Sequence, residues 1–278
     1  MRNLLLSLHR YLESDYPWSA SQKAQKFIAS LCGLTLCWGG ILSAGGAGAQ
    51  TPDIPQELQN LLQQVDDAAN RQNIRGVMQF YSPTLTHSDG LTYENLEDAL
   101  ETLWQRYPDL TYRTQVKSWE TDGNAIVAET VTEINGVQIN GEREYSLRAT
   151  VRSRQRYENQ QIVRQDILAE RSQIASGEKP PVVQVNLPDE VKIGREYNFD
   201  AIVLQPLGDD LLLGAALEEP INIYGYLEPP KIDLEPLNAG GLFKIGRAPL
   251  VTNDRWISAV FIRHDGLVFV TQRLPVIE

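Results

Sequence analysis

The chain has 278 residues, 25 of them Lys or Arg against 36 Asp or Glu, a formal net charge of −11 and a pI near 4.9. Such an acidic chain lacks the cationic footprint that neutralises phosphates, so a nucleic-acid binder is not expected, and a hydrophobic fraction of 42% is too high for a disordered chain. The length suits one large or two ordinary domains, each burying its own core.

In chain order, the first feature is the uncharged run from Phe27 to Ala49, which follows Lys23 and Lys26 and ends on Ala47-Gly48-Ala49. A basic n-region, an apolar h-region and an A-x-A exit predict a secretory signal peptide over residues 1–49, with Gln50 as the mature start. The alternative is an uncleaved N-terminal membrane anchor, because the run is long enough to span a bilayer. Its glycines weaken such a helix, and the small-residue exit favours cleavage. Processing removes both cysteines, Cys32 and Cys37, and with them thiol chemistry and Cys-ligated zinc. It also removes Arg2, Arg10, Lys23, Lys26, Glu13 and Asp15, which deepens the net charge from −11 to −13. The expectation is an exported periplasmic or extracellular protein that meets a membrane only through its N-terminal segment, if that segment is retained.

Asp53 and Gln56 offer a helix cap, and Leu58, Leu61, Leu62, Val65 and Ala69 then recur at the spacing of one helical face. A short helix is predicted from Ile74 to Tyr81 and a brief strand from Thr84 to Ser88. Leu96, Ala99, Leu100, Leu103, Trp104 and Tyr107 make a third helical stripe, stopped by Pro108. The period then becomes two, with strands Leu110–Glu120, Ala125–Ile134, Val137–Gln155 and Gln161–Ser172. Asp122-Gly123, Asn135-Gly136 and Glu158-Asn159 supply the hairpin turns, and Asn140-Gly141 marks a bulge or bend within a long strand.

Three helices followed by a four-stranded meander, carried by Leu58 to Asn70, Gln79-Phe80-Tyr81 with Leu85-Thr86-His87, Leu96 to Trp104 and Gln161-Ile162-Val163, resemble the nuclear transport factor 2-like (NTF2-like) superfamily and its SnoaL-like branch. The resemblance covers residues 53–173 and rests on order and pattern. It implies an α+β cone, three helices on a curved antiparallel sheet enclosing an apolar pocket. The superfamily includes isomerases, dehydratases and cyclases as well as binding and dimerisation modules. Residues 174–181 read as a linker, and residues 182–278 as an all-β, Ig-like sandwich domain built from short apolar runs. Its runs are Val182–Leu187, Tyr197–Leu204, Ile221–Leu227, Gly241–Ile245, Trp256–Arg263 and Leu267–Leu274, with Leu211–Leu217 as a further strand or helical turn.

Strand parity predicts what faces the pocket. Leu110, Tyr112, Thr114 and Val116 point inward, as do Ile126, Ala128, Thr130 and Thr132, Tyr145, Leu147, Ala149 and Val151, and Val163, Gln165, Ile167 and Ala169. The ligand-binding set is therefore Tyr81, His87, Trp104, Tyr112, Thr130, Tyr145 and Gln165. No carboxylate belongs to it. Weak catalytic candidates are His87 as base, Tyr112 as donor to an oxyanion, and Glu170, whose position matches the carboxylate near the end of the last strand that the resemblance implies. Parity places Glu170 outside unless a bulge turns it inward. Acidic pairs such as Asp66-Asp67, Asp209-Asp210 and Glu218-Glu219 read as solvated, and Arg143, Arg148, Arg152, Arg154 and Arg156 as an outward face that pairs with Glu129 and Glu133 rather than with an anionic ligand. No metal or cofactor is expected. The reading that follows is an exported, non-enzymatic binding protein for a small apolar ligand or a protein partner. The alternatives are an isomerase, dehydratase or cyclase using His87, and a homodimerisation module that associates through the sheet.

Overall fold

The computed structural model describes residues 53–206, 208, 210–227, 232–237 and 239–278. The signal or anchor segment, with Cys32 and Cys37, lies outside the described residues. Helices α1 (Gln56–Asn70), α2 (Ile74–Met78) and α3 (Tyr93–Arg106) surround β1 (Tyr81–His87) and precede the meander β2 (Asp109–Asp122), β3 (Ala125–Asn140), β4 (Arg143–Glu158) and β5 (Gln161–Gly177). There follow β6 (Val183–Asn186), β7 (Val191–Lys192), β8 (Glu196–Val203), β9 (Leu213–Pro220), α4 (Ile223–Leu227), β10 (Glu235–Pro236) and β11 (Gly241–Arg247). The chain closes with β12 (Arg255–Arg263), β13 (Gly266–Leu274) and β14 (Val276–Ile277).

α1 buries Leu58, Leu61, Leu62 and Ala69 of the predicted face, and Ala68 beside them, while Val65 is half-buried. It starts behind Pro55 with no side-chain cap, so Asp53 does not serve as one. α3 opens on a capping box in which Thr92 and Asn95 satisfy each other's backbone N–H groups.

The expected fold class, an α+β cone on an antiparallel sheet followed by an all-β sandwich built on its own sheets, is corrected. More than half of the described residues are in strands. Nine of the strands form one sheet, in the order β10-β9-β12-β13-β5-β4-β3-β2, with β1 paired to β5. The cause is the length of β5. It runs to Gly177, five residues past the predicted Ser172, and its far half would be an open edge. β13 fills that edge antiparallel, from Gly266↔Gly177 to Gln272↔Arg171. The near half of β5 is claimed by β1, which pairs in parallel at Tyr81↔Ile162 and His87↔Gln165, so the sheet is mixed rather than antiparallel throughout.

β12 and β13 are consequently covered on both faces. On one side Ile257, Ala259, Phe261, Val268 and Val270 pack against the second, three-stranded sheet β11-β8-β6 through Tyr197, Phe199 and Ala201. On the other, Val260, Ile262, Leu267 and Phe269 join Trp104, Leu110, Tyr145 and Ile174 in the core of the N-terminal half. Such strands read as continuous apolar runs, as Trp256–Arg263 does.

Two other readings are corrected. Asn135-Gly136 is not a turn: Gly136 lies inside β3, and a Cβ there would sit 2.4 Å from Leu110 Cδ2. Asn140-Gly141 is the turn instead, with Gly141 at φ 59°, so the predicted long strand divides between β3 and β4. The run Ile221–Leu227 holds the short helix α4 rather than a strand.

Candidate functional site

α1, α3 and the inner face of the meander enclose a cavity of about 180 Å³. Its walls are mainly apolar, with Leu62 and Val65 from α1, Leu96 and Leu100 from α3, and Ile134 and Ile162 from the sheet.

Four of the expected ligand-binding residues line it: Tyr81, His87, Tyr112 and Gln165. The other three stand behind the wall. Trp104 is buried in the core and donates Nε1–H to the Tyr112 hydroxyl at 2.9 Å. Thr130 is buried and donates to Gln155 Oε1 at 3.3 Å, and Tyr145 packs in the core with Trp104. Tyr112 accepts from Trp104, which leaves its own O–H to donate, and burial pushes its pKa up so that it stays protonated. Burial, with help from the Asp66 charge, likewise pushes Tyr81 up to about 12, and its hydroxyl lies 3.4 Å from Gln165 Oε1.

The expectation that no carboxylate enters the cavity is overturned twice. Asp66, taken with Asp67 as a solvated helix face, lines the cavity and ties α1 to β2. Its Oδ2 accepts from Thr114 N at 2.6 Å and its Oδ1 from Thr114 Oγ1 at 2.7 Å. Glu170 also lines the cavity and is only 7% exposed. The register of β5 against β4 slips between Arg156 and Tyr157 and again between Arg152 and Ser153, so Val163 and Leu168 are extra residues. Each bulge reverses parity. Ile162, Gln165, Ile167 and Glu170 therefore line the cavity, whereas Val163 and Ala169, expected inside, do not, and Ala169 is exposed.

The C-terminal half contributes to the cavity through Tyr226 and, behind its lining, through Trp256 and Arg273. Tyr226 lines the cavity, and its ring meets Trp256 edge-on at 4.9 Å. Trp256 Nε1 donates to Glu170 Oε2 at 3.0 Å. Arg273 is 3% exposed and forks onto Asp89, Nη1 to Oδ1 at 3.0 Å and Nη2 to Oδ2 at 2.6 Å. Tyr226 O–H donates to the same Oδ2, and Arg273 also reaches Asp254 Oδ2 at 3.0 Å. Burial alone would raise the Asp89 pKa, but the hydrogen bonds and charge of Arg273, with Tyr226, bring it below the ordinary carboxylate value.

Residues 178–277 match a family model described as a domain of unknown function, DUF8623. No curated protein matches the chain. Among solved structures, Bd1075 of Bdellovibrio bacteriovorus aligns at 14% identity and TM-score 0.31 over 40% of this chain and 39% of its own, so this chain spans well under half of that protein. A candidate SnoaL-like polyketide cyclase from Shewanella putrefaciens aligns at 16% identity and TM-score 0.31, over 41% of this chain and 90% of its own. An LEH-like epoxide hydrolase from M. tuberculosis aligns at 13% identity and TM-score 0.28, over 40% of this chain and 80% of its own. Each activity named is that of the neighbour.

The geometry changes the chemical part that His87 can take. Asp89 N donates to His87 Nδ1 at 3.1 Å, so the neutral ring carries its proton on Nε2. Burial lowers the His87 pKa, and the Asp89 charge offsets this only in part. A neutral imidazole whose single lone pair is already engaged is a donor to the cavity, not a base. Of the two carboxylates, Asp66 has both oxygens occupied by Thr114, whereas the bonds to Glu170 converge on Oε2. The one sequence signal for Glu170 was its place near the end of β5. For Asp66 there was none, because a helix face does not show which acid a strand residue will claim.

Proposed function

We propose that the cavity is the active site of a proton-transfer enzyme of the isomerase, dehydratase or cyclase kind, with Glu170 as general base. The observation that carries this reading is the buried Glu170 carboxylate at an apolar cavity, held through Oε2 by Trp256 with Oε1 left to act. Glu170 removes a proton from the carbon beside a carbonyl. The charge that develops on the carbonyl oxygen accepts hydrogen bonds from Tyr112 O–H and His87 Nε2–H, and the proton returns to the product. The volume of about 180 Å³ is below the roughly 300–1,000 Å³ of drug-sized sites, which supports a substrate no larger than one ring with short substituents. The uncharged run from Phe27 to Ala49 supports an exported setting.

The test is deuterium exchange into the α-positions of cyclohexanone in heavy water, followed by proton NMR. Wild type is expected to exceed buffer, the Glu170→Gln variant to lose roughly 10²–10⁴-fold, and Tyr112→Phe roughly 10²-fold. Binding of cyclohexanone without exchange above buffer would support the non-enzymatic ligand-binding reading instead, which the apolar walls favour. Equal exchange by wild type and Glu170→Gln would remove Glu170 from the mechanism.

A further inference from the structure

Of the polar groups that reach Asp89 and Glu170 from outside the N-terminal half, Tyr226 comes from α4, and Trp256 and Arg273 come from one hairpin. Trp256 of β12 and Arg273 of β13 are directly opposed cross-strand partners, so the hairpin presents both on one face. We propose that Arg273 and Trp256 are positioning residues of the cavity site, which makes the C-terminal half its second part. This rests on the cavity being the site, as argued above.

Two routes lead from the hairpin to the chemistry. On the first, the Arg273 fork and the Tyr226 hydroxyl fasten the Asp89 carboxylate. That holds the Asp89 backbone N–H on His87 Nδ1, and so holds the proton on Nε2, where it is a donor. On the second, Trp256 Nε1 occupies Glu170 Oε2, and Arg273 Nη2 stands 3.7 Å from the same oxygen. The carboxylate is thereby turned with its other oxygen available. Fastening a hairpin does not require this arrangement. Apolar contacts of similar volume anchor buried elements at least as well as a buried ion pair, whereas orientation of a ring and a carboxylate needs directed bonds.

The full-length protein labelled with ¹⁵N-histidine provides the test, with His9→Gln and His264→Gln variants assigning the His87 signals. Wild type is expected to show a single neutral tautomer protonated on Nε2. Arg273→Lys keeps the charge and loses the fork. It is expected to retain the far-UV circular dichroism, to show both His87 tautomers, and to lower cyclohexanone exchange at least tenfold. Trp256→Phe is expected to lower exchange similarly with cyclohexanone binding unchanged, and to add nothing to Glu170→Gln because it acts through that residue. If Arg273→Lys does not fold, Asp89→Asn is read in the same way. A His87 that stays wholly on Nε2–H in the folded variants would overturn the proposal, as would failure of both to fold, which would assign the cluster to stability alone. If wild type shows no exchange at all, the proton-transfer reading fails while the tautomer measurement still decides this one.

Discussion

Arg273 is a cation surrounded by Asp89, Asp254 and Glu170 at 3% exposure, and burial of that kind makes the loss of either partner expensive. Removing one member of a buried pair leaves an uncompensated charge and costs about 3–5 kcal/mol, whereas replacing both partners is often close to neutral. Chemical denaturation of Arg273→Met is therefore expected to show a loss of about that size. The Asp89→Asn/Arg273→Met double variant is expected to recover part of it. A double variant as unstable as the sum of the singles would show that the pair is not coupled. The same cluster sets the response to acid. His87 has a folded pKa below its ordinary 6.5, so as pH falls through that value the unfolded chain binds a proton that the native ring refuses, and stability declines. Asp89 acts in the same direction at lower pH: its depressed folded pKa contributes stability above the ordinary 3.8 that is lost on protonation. Stability measured across pH 7 to 5 should fall in wild type and fall less in His87→Gln; parallel curves would contradict this assignment.

The elements show which backbone positions the fold cannot alter. Gly177 has φ 103°, and a Cβ there would stand 2.5 Å from the Cα of Gly266 in the facing strand. No side chain can yield at that point. At Gly136 the atom in the way is Leu110 Cδ2, the end of a side chain that can move. Gly177→Ala is expected to exceed the 1–3 kcal/mol typical of overpacking, and Gly136→Ala to fall within that range, with thermal melts of both as the check. These glycines also mark where the sequence could be read and where it could not. Helical periodicity located α1 and α3, and alternation located the inner faces of β2, β3 and β4, because those patterns record burial directly. Asn-Gly pairs at 135–136 and 140–141 carry the same turn signal, and only the packing of Leu110 against Gly136 decides between them. The bulges at Val163 and Leu168 leave no local mark, since they are set by the partner strand, yet they decide that Glu170 faces the cavity. Thus Tyr81, His87, Tyr112 and Gln165 were legible as cavity residues, while Asp66 and the Arg273–Asp89 pair, 184 residues apart in sequence, were not.

At the scale of the whole molecule the sheet is continuous. β5 belongs to the meander through β4 and to the C-terminal strands through β13, and β12-β13 serve as a wall for two cores at once. Alternation within the C-terminal runs predicted a sandwich, but it could not show that one of the sandwich's own strands would be the end of β5. A hairpin with buried residues on both faces loses an apolar contact of about 1.5–3 kcal/mol for every large side chain left exposed, so neither half is expected to hold its native structure while the other is unfolded. Scanning calorimetry of the full-length protein tests this most directly. A single cooperative transition is predicted, with calorimetric and van't Hoff enthalpies in agreement and the whole transition shifted by Asp89→Asn. Two resolved transitions, only one of them moved by Asp89→Asn, would contradict a fold and a site shared between the two halves.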